Sequence, residues 1–442
     1  MLKTTTKIFH HSEKHFQRAN KFLRLGLIAI LPAGVALGLV SVQAASDNTV
    51  TVCADGCDFM TVQDAIDAPS TTAGDVINIT DAVHTESGIL VNKDVTIQGQ
   101  GADSTIVQAQ TEADAATERV FFVKDGAVVT LRRMTIRHGN PTSEPQSGGG
   151  IRNEGELTIE ESIISHNRGS AGGGLFNDGK LTLVNCTVSS NTATGGDTYL
   201  ECNTGGGIKN MVGVTTLINS TVSDNTARGK GGGLHIACHG TLVLVNSTIS
   251  GNNTTDNGGG VYINGVGEFT NSTIANNSAN NGGGVYVHGT REVGLVRGLL
   301  NYTNTIIADN TISFGKYGIA DCLLGDYASF ATNVNNLVED GSCDPAHSGD
   351  PQLAPLDDNG GDTQTHAPSP DSPAVNAIRA GECIVDTDQR GLPRPYGAGC
   401  DIGAVELQAG ESGISRYWIY GGLLVLLGIG GLAIALRRRY RK

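Results

Sequence analysis

Three consecutive glycines recur six times in this 442-residue chain, at 148–150, 172–174, 205–207, 231–233, 258–260 and 282–284. The steps between them are 24, 33, 26, 27 and 24 residues. An apolar residue follows each triplet: Ile151, Leu175, Ile208, Leu234, Val261 and Val285. A short alternating stretch comes next, such as Leu157-Thr-Ile159, Leu181-Thr-Leu183 or Leu242-Val-Leu244. Each repeat closes on a shared signature, running Asn185–Asn191, Asn219–Asn225, Asn246–Asn252 and Asn271–Asn277, with looser copies at Glu161–Asn167 and Thr303–Asn310. Self-similarity at such a period marks a stacked-repeat architecture.

Each unit reads as three short strands joined by Gly- and Asn-rich corners. One coil cannot bury its apolar side alone, but coils stacked at about 4.8 Å can. The expected fold is therefore all-β, a parallel β-helix solenoid. The recurring Asn167, Asn191, Asn225, Asn252, Asn277 and Asn310 would form an amide ladder, each bonding the next. Ser162, Cys186, Ser220, Ser247 and Ser272 align, and so do Ile164, Val188, Val222, Ile249 and Ile274 two residues on. Alternation places both columns on the inner face. Asn185, Asn219, Asn246 and Asn271 match a glycosylation triplet, but they recur because the repeat recurs.

The triplets and the Asn-Ser-Thr-Ile-Ser-x-Asn signature resemble bacterial pectin-lyase-like right-handed β-helices, including polymorphic outer-membrane-protein repeats. Thr61–Asp67 looks like the amphipathic helix that caps such a fold, and Gly74–Ile79 and Val95–Gly99 look like its first strands. Farther on, Asp350–Gly361, Thr365-His-Ala, Ser372–Val375, Thr387–Gly391 and Cys400–Glu406 resemble a choice-of-anchor Q domain. That family joins β-helices to varied surface-anchoring tails.

The two ends predict export and anchoring. Residues 1–24 are basic, Leu25–Val40 are apolar, and Val42-Gln43-Ala44 supplies small residues at a cleavage position. That order is a secretory signal over 1–44. At the other end, residues 417–436 carry no charge and are followed by Arg437, Arg438, Arg439, Arg441 and Lys442. Twenty apolar residues suffice to cross a hydrocarbon core of about 30 Å, and a basic tail at 437–442 fixes the cytoplasmic side. Between them lie a cap with first coils (45–115), the repeats (116–345), the anchor-Q-like region (346–408) and a linker (409–416).

The two ends hold 11 of the 30 Lys/Arg and one of the 44 Asp/Glu, which leaves 19 against 43 and a net charge of −24 in the exported part. Such a surface repels nucleic acid. Nine cysteines in an exported chain suggest disulfides. Proximity favours Cys53–Cys57, Cys322–Cys343 and Cys383–Cys400, with Cys202 and Cys238 pairing between repeats. Cys186 in the serine column would then be the unpaired one.

Chemistry is harder to find. The densest charged cluster is Arg132, Arg133, Arg137, His138, Glu160, Glu161, His166 and Arg168. It reads either as a grip on an acidic sugar or as cross-coil ion pairs, Arg132 over Glu160 and Arg133 over Glu161. Opposite charges in register favour the second reading. Calcium could sit where Glu154 and Asp178 stack at a corner, or at Asp357, Asp358 and Asp362, although neither has EF-hand spacing. No catalytic, cofactor or metal residue is assigned. Two functions remain: a surface structural, adhesive or carbohydrate-binding protein, or a surface polysaccharide lyase or hydrolase working around Arg137. A groove in which two or three carboxylates and an arginine converge would favour the enzyme. The inserts Asp197–Asn203 and Arg291–Leu300 are candidate contact loops.

Overall fold

The computed structural model describes residues 48–195, 204–289, 298–313 and 320–408. The leader, the apolar segment at 417–436, the insert at 197–203, most of that at 291–300 and the Cys202–Cys238 pairing lie outside the described residues. Among the described residues no helix is long and apolar enough to cross a membrane.

The chain winds into a parallel β-helix. One coil runs Ile151–Asn153, Glu156–Glu160, Ile163–Ser165 and Arg168–Gly169. That is four strands where the repeat predicts three, because a corner at Glu154-Gly155 splits the first face. In two coils, Ile208–Ile218 and Leu234–Val245 cross the same corner unbroken. Stacked coils make sheets of 18, 10 and 6 strands among the described residues. Register is kept from coil to coil: Leu157 pairs with Val129 and Leu181, and Ile164 with Ile136 and Val188. These inward residues are fully buried, and each contributes about 1.5–3 kcal/mol. A slip of one residue would turn that column to solvent, so the apolar pattern sets the register.

The glycine triplets and the asparagine ladder are one device. The first glycine of each triplet has positive φ, from +54° at Gly282 to +91° at Gly205, which costs glycine little. The third lies over the ladder: a Cβ on Gly233 would stand 2.7 Å from the Gly260 carbonyl oxygen and 2.9 Å from Asn252 Cγ. The ladder is the one expected. From Asn167 to Asn277, each backbone N–H and each Nδ2 donates to the next Oδ1 at 2.9–3.1 Å. Asn310 ends the run on the Asp321 carboxylate, at 3.0 and 3.2 Å.

The serine column works similarly. The hydroxyls of Ser220, Ser247 and Ser272 each accept the backbone N–H of the previous coil at 3.1–3.3 Å. Cys186 breaks this column with a buried, unpaired thiol, which burial pushes up to about 12. Such a thiol is inert packing. The three predicted disulfides, Cys53–Cys57, Cys322–Cys343 and Cys383–Cys400, are present.

A helix, Val62–Asp67, closes the first coil by burying Val62, Ala65 and Ile66. Thr61 caps it through the Asp64 N–H, and Glu86 accepts from the Val62 and Gln63 amides at 2.7 and 2.9 Å. Residues 346–408 return along the outer side of the ten-stranded sheet. Thr221 donates to the Gln364 carbonyl oxygen, Asn246 to that of Thr387, and Thr273 accepts from the Ala404 amide.

Candidate functional site

Thr365–Ala367, Asp388–Arg390 and Cys400–Glu406 make up the inside of this returning segment. Gln389 accepts from Thr248 and donates to Thr221 and Thr363, at 2.7–2.9 Å. Arg390 pairs with Asp388 at 2.8 Å and Arg394 with Glu406 at 2.9 Å, with at most 1% of any of these side chains exposed. Asp401 accepts from the Asn376 and Leu407 amides at 2.7 Å. Burial pushes both its carboxyl and that of Asp321 up to about 6. Perturbed carboxyls often flag active sites; here each ends a structural network.

Neither of the ion pairs expected at the Arg/Glu/His cluster, Arg132–Glu160 and Arg133–Glu161, forms, and Arg168 pairs instead with Asp114 at 3.8 Å. Arg132 stands beside Glu160 in register, yet its guanidinium bonds the Gln98 amide oxygen on the other neighbouring coil at 2.7 and 2.9 Å. Arg137 grips Gln108 in the same way, at 2.8 and 3.0 Å. A planar fork meeting an amide oxygen one coil back satisfies both groups. Arg133 bonds the Gln100 carbonyl oxygen at 2.8 Å. His138 and His166 meet edge to face at 6.4 Å, and burial first, then His138 and Arg137, holds His166 low.

The acidic candidates resolve similarly. Glu154 pairs with Arg152 at 2.9 Å. Asp357 and Asp358 accept from the Asp358 and Gly360 amides within their own turn. Among the described residues no group of three or more His, Cys, Asp or Glu is placed to hold a metal ion.

Two signals that lie far apart in sequence do converge. Where the returning segment starts to cover the sheet, a cleft of about 430 Å³ is lined by Asp103, Arg133, Glu161, Asn185, Thr187, Gly361 and Asp362. Asp362 accepts from Asn185 Nδ2 at 2.7 Å, closing one end. Arg133 and Glu161 come from the charged cluster and Asp362 from the acidic loop; Arg137 and the histidines are not part of the lining.

This cleft departs from the repeat. The corner that opens the signature is left-handed in successive coils, with φ of +54° at Asn185, +50° at Asn219, +47° at Asn246, +45° at Asn271 and +53° at Asn304. Asparagine tolerates that conformation. At Arg133 (+58°) and Glu161 (+45°) the same corner carries charged side chains that do so poorly. Non-consensus residues are thus held in a costly conformation beside the cleft, and strain of this kind clusters at functional sites.

One row escaped sequence reading. Register aligns Phe122 with Arg152, Phe176, Lys209, His235, Tyr262 and Tyr286, the second residue after each triplet. Alternation points them outward, yet Phe176, Lys209, His235 and Tyr262 are buried. Tyr262 and Tyr286 stack at 5.4 Å, Arg152 lies over Phe176 at 4.8 Å, Ser147 accepts from Arg152 at 2.5 Å and Thr204 meets His235 at 2.6 Å. The row is a second, outer core that seats the loops. The signal was available as a residue column across repeats, hidden by its mixed chemistry.

A family model described as a right-handed β-helix region matches residues 87–265. Residues 87–265 are thus a right-handed β-helix region within a chain that folds as a parallel β-helix. No curated protein matches it. Among solved structures, pectate lyase Pel9A is similar at 13% identity over 81% of this chain and 97% of that one, with a TM-score of 0.46. A pectin methylesterase from carrot is similar at 16% identity over 66% and 90%, with a TM-score of 0.34.

Proposed function

We propose that this chain is an exported protein held at the cell surface by its apolar segment at 417–436, and that the cleft at Arg133 and Glu161 binds carbohydrate without cutting it. The observation that carries this reading is the charged, strained pair at a corner where later coils place asparagine. The leader, the basic tail and the likeness of residues 346–408 to a choice-of-anchor Q domain support surface display, as does the likeness of the repeats to polymorphic outer-membrane proteins. The net charge of −24 in the exported part argues for neutral chains, or for acidic chains bridged by cations such as calcium.

A second reading, cleavage of an acidic polysaccharide, rests on Asp103, Glu161, Asp362 and Arg133 lining one cleft. Hydrolysis would use two carboxyls about 5–9.5 Å apart. Incubating the full-length protein with acidic and neutral polysaccharides, with and without calcium, separates the two. Retention of at least one polysaccharide at unchanged chain length is expected. Shortened chains would transfer the case to the second reading, and no retention across the panel would end the binding proposal.

A further inference from the structure

Farther along the same flank, the solenoid and the returning segment enclose a larger cleft of about 630 Å³. Ser250 and His366 both contribute to its wall. Ser250 Oγ stands 2.8 Å from His366 Nε2, and His366 Nδ1 stands 2.7 Å from the Ala354 carbonyl oxygen. A carbonyl oxygen can only accept, so Nδ1 carries the ring proton and donates it. In the neutral ring Nε2 is then the acceptor, and the Ser250 hydroxyl donates to it. Burial holds the imidazole below its ordinary range, which keeps it neutral near pH 7.

A hydroxyl directed at a neutral imidazole, itself oriented by a third group, is the arrangement that activates a serine. We propose that Ser250 and His366 are a nucleophile–base pair that hydrolyses an ester bound in this cleft. Ser250 Oγ forms a bond to the acyl carbon while its proton passes to His366 Nε2. The tetrahedral intermediate collapses, the ester C–O bond breaks, and the departing alcohol takes that proton. Water then attacks the acyl-serine, giving up its proton to Nε2, and the serine leaves with that proton as the carboxylic acid is released.

The lining selects the substrate. Leu353, Pro355 and Leu356 offer an apolar wall to a short acyl group. Asp224 and Asp309 also line it, with no Lys or Arg in the lining, so an anionic ester is disfavoured. The fitting class is a small, neutral O-acyl ester, such as an acylated sugar hydroxyl. This activity is independent of the Arg133 cleft, since it removes an acyl group and leaves the length of any sugar chain unchanged.

The test uses the full-length protein with 4-nitrophenyl acetate and a fluorophosphonate probe. Wild type should hydrolyse the ester and take up the probe on Ser250. Ser250→Ala should abolish both, and His366→Gln should lower turnover by about 10³-fold. Ser189→Ala, two coils away in the same column, should change neither. The rate should fall in acid as His366 protonates, a dependence that a tether alone would not show. Should Ser250→Ala fail to fold, Ser250→Cys keeps a nucleophile and most of the packing, and it should be alkylated by iodoacetamide faster than Cys186. Wild type that takes up no probe and hydrolyses the ester no faster than buffer would overturn the proposal and leave the pair as a tether of the returning segment.

Discussion

Asn225→Leu is expected to destabilise the solenoid by about 3–5 kcal/mol, through groups it leaves unpaired rather than through lost volume. Asn225 is fully buried. Its Oδ1 accepts the N–H and Nδ2 of Asn191, and its Nδ2 donates to the carbonyl oxygens of Val188 and Ser223 and to Asn252 Oδ1. Leucine is similar in size but satisfies none of these. Each buried polar group left without a partner costs about 1–3 kcal/mol, partly recovered by relaxation. Coils contact only their neighbours, so the damage should be local. Hydrogen exchange should quicken in the strands at 187–193, 221–227 and 248–254, while those at 95–98 and 106–108 stay protected. Unchanged exchange around residue 225 would mean that the ladder is decoration.

Arg394→Leu should release the returning segment and leave the solenoid folded. The Arg394 guanidinium bonds Glu406 at 2.9 Å and the Asp401 and Gly403 carbonyl oxygens at 2.9 and 2.7 Å. Burial lowers its pKa and Glu406 raises it in return, so the ion is tolerated only because it is paired. Removing one partner of a buried pair costs about 3–5 kcal/mol, because the other charge is stranded. Replacing both can be nearly neutral, so Arg394→Leu with Glu406→Leu should be milder than Arg394→Leu alone. Limited proteolysis should cut within 346–408 fastest in the single variant. Cutting of the single variant no faster than wild type would show that the segment is held by its other contacts.

The architecture was legible because a β-helix writes its geometry once per coil. Glycine stands where the first triplet position turns left-handed and where an amide packs against the backbone. Asparagine is required wherever its neighbour one coil away must be bonded. Both leave a column in the sequence, and those columns predicted the ladder, the serine row and Cys186, while the family resemblance supplied the capping helix. The fourth strand was missed because the corner at Glu154-Gly155 interrupts a face without interrupting its alternation.

The site was less legible, because it depends on the path of the returning segment and no repeat encodes that. Asp362 meets Arg133 and Glu161 only once residues 346–408 fold back, and Ser250 meets His366 for the same reason. Arg132 and Arg133 were misread because each had neighbours on two coils. Charge alone favoured Glu160 for Arg132, while amide geometry placed Gln98 in the fork. The signal that could have singled out the cleft was Glu161 standing where four later signatures begin with asparagine.

The most direct test of the binding account is therefore Glu161→Asn, read for stability and for polysaccharide retention together. Asparagine at a left-handed corner should relieve about 1 kcal/mol of backbone strain, so the variant should melt higher than wild type while its retention of the bound polysaccharide drops. A variant that melts higher and binds as well as wild type would show that the charge at this corner serves no ligand, and would contradict the account.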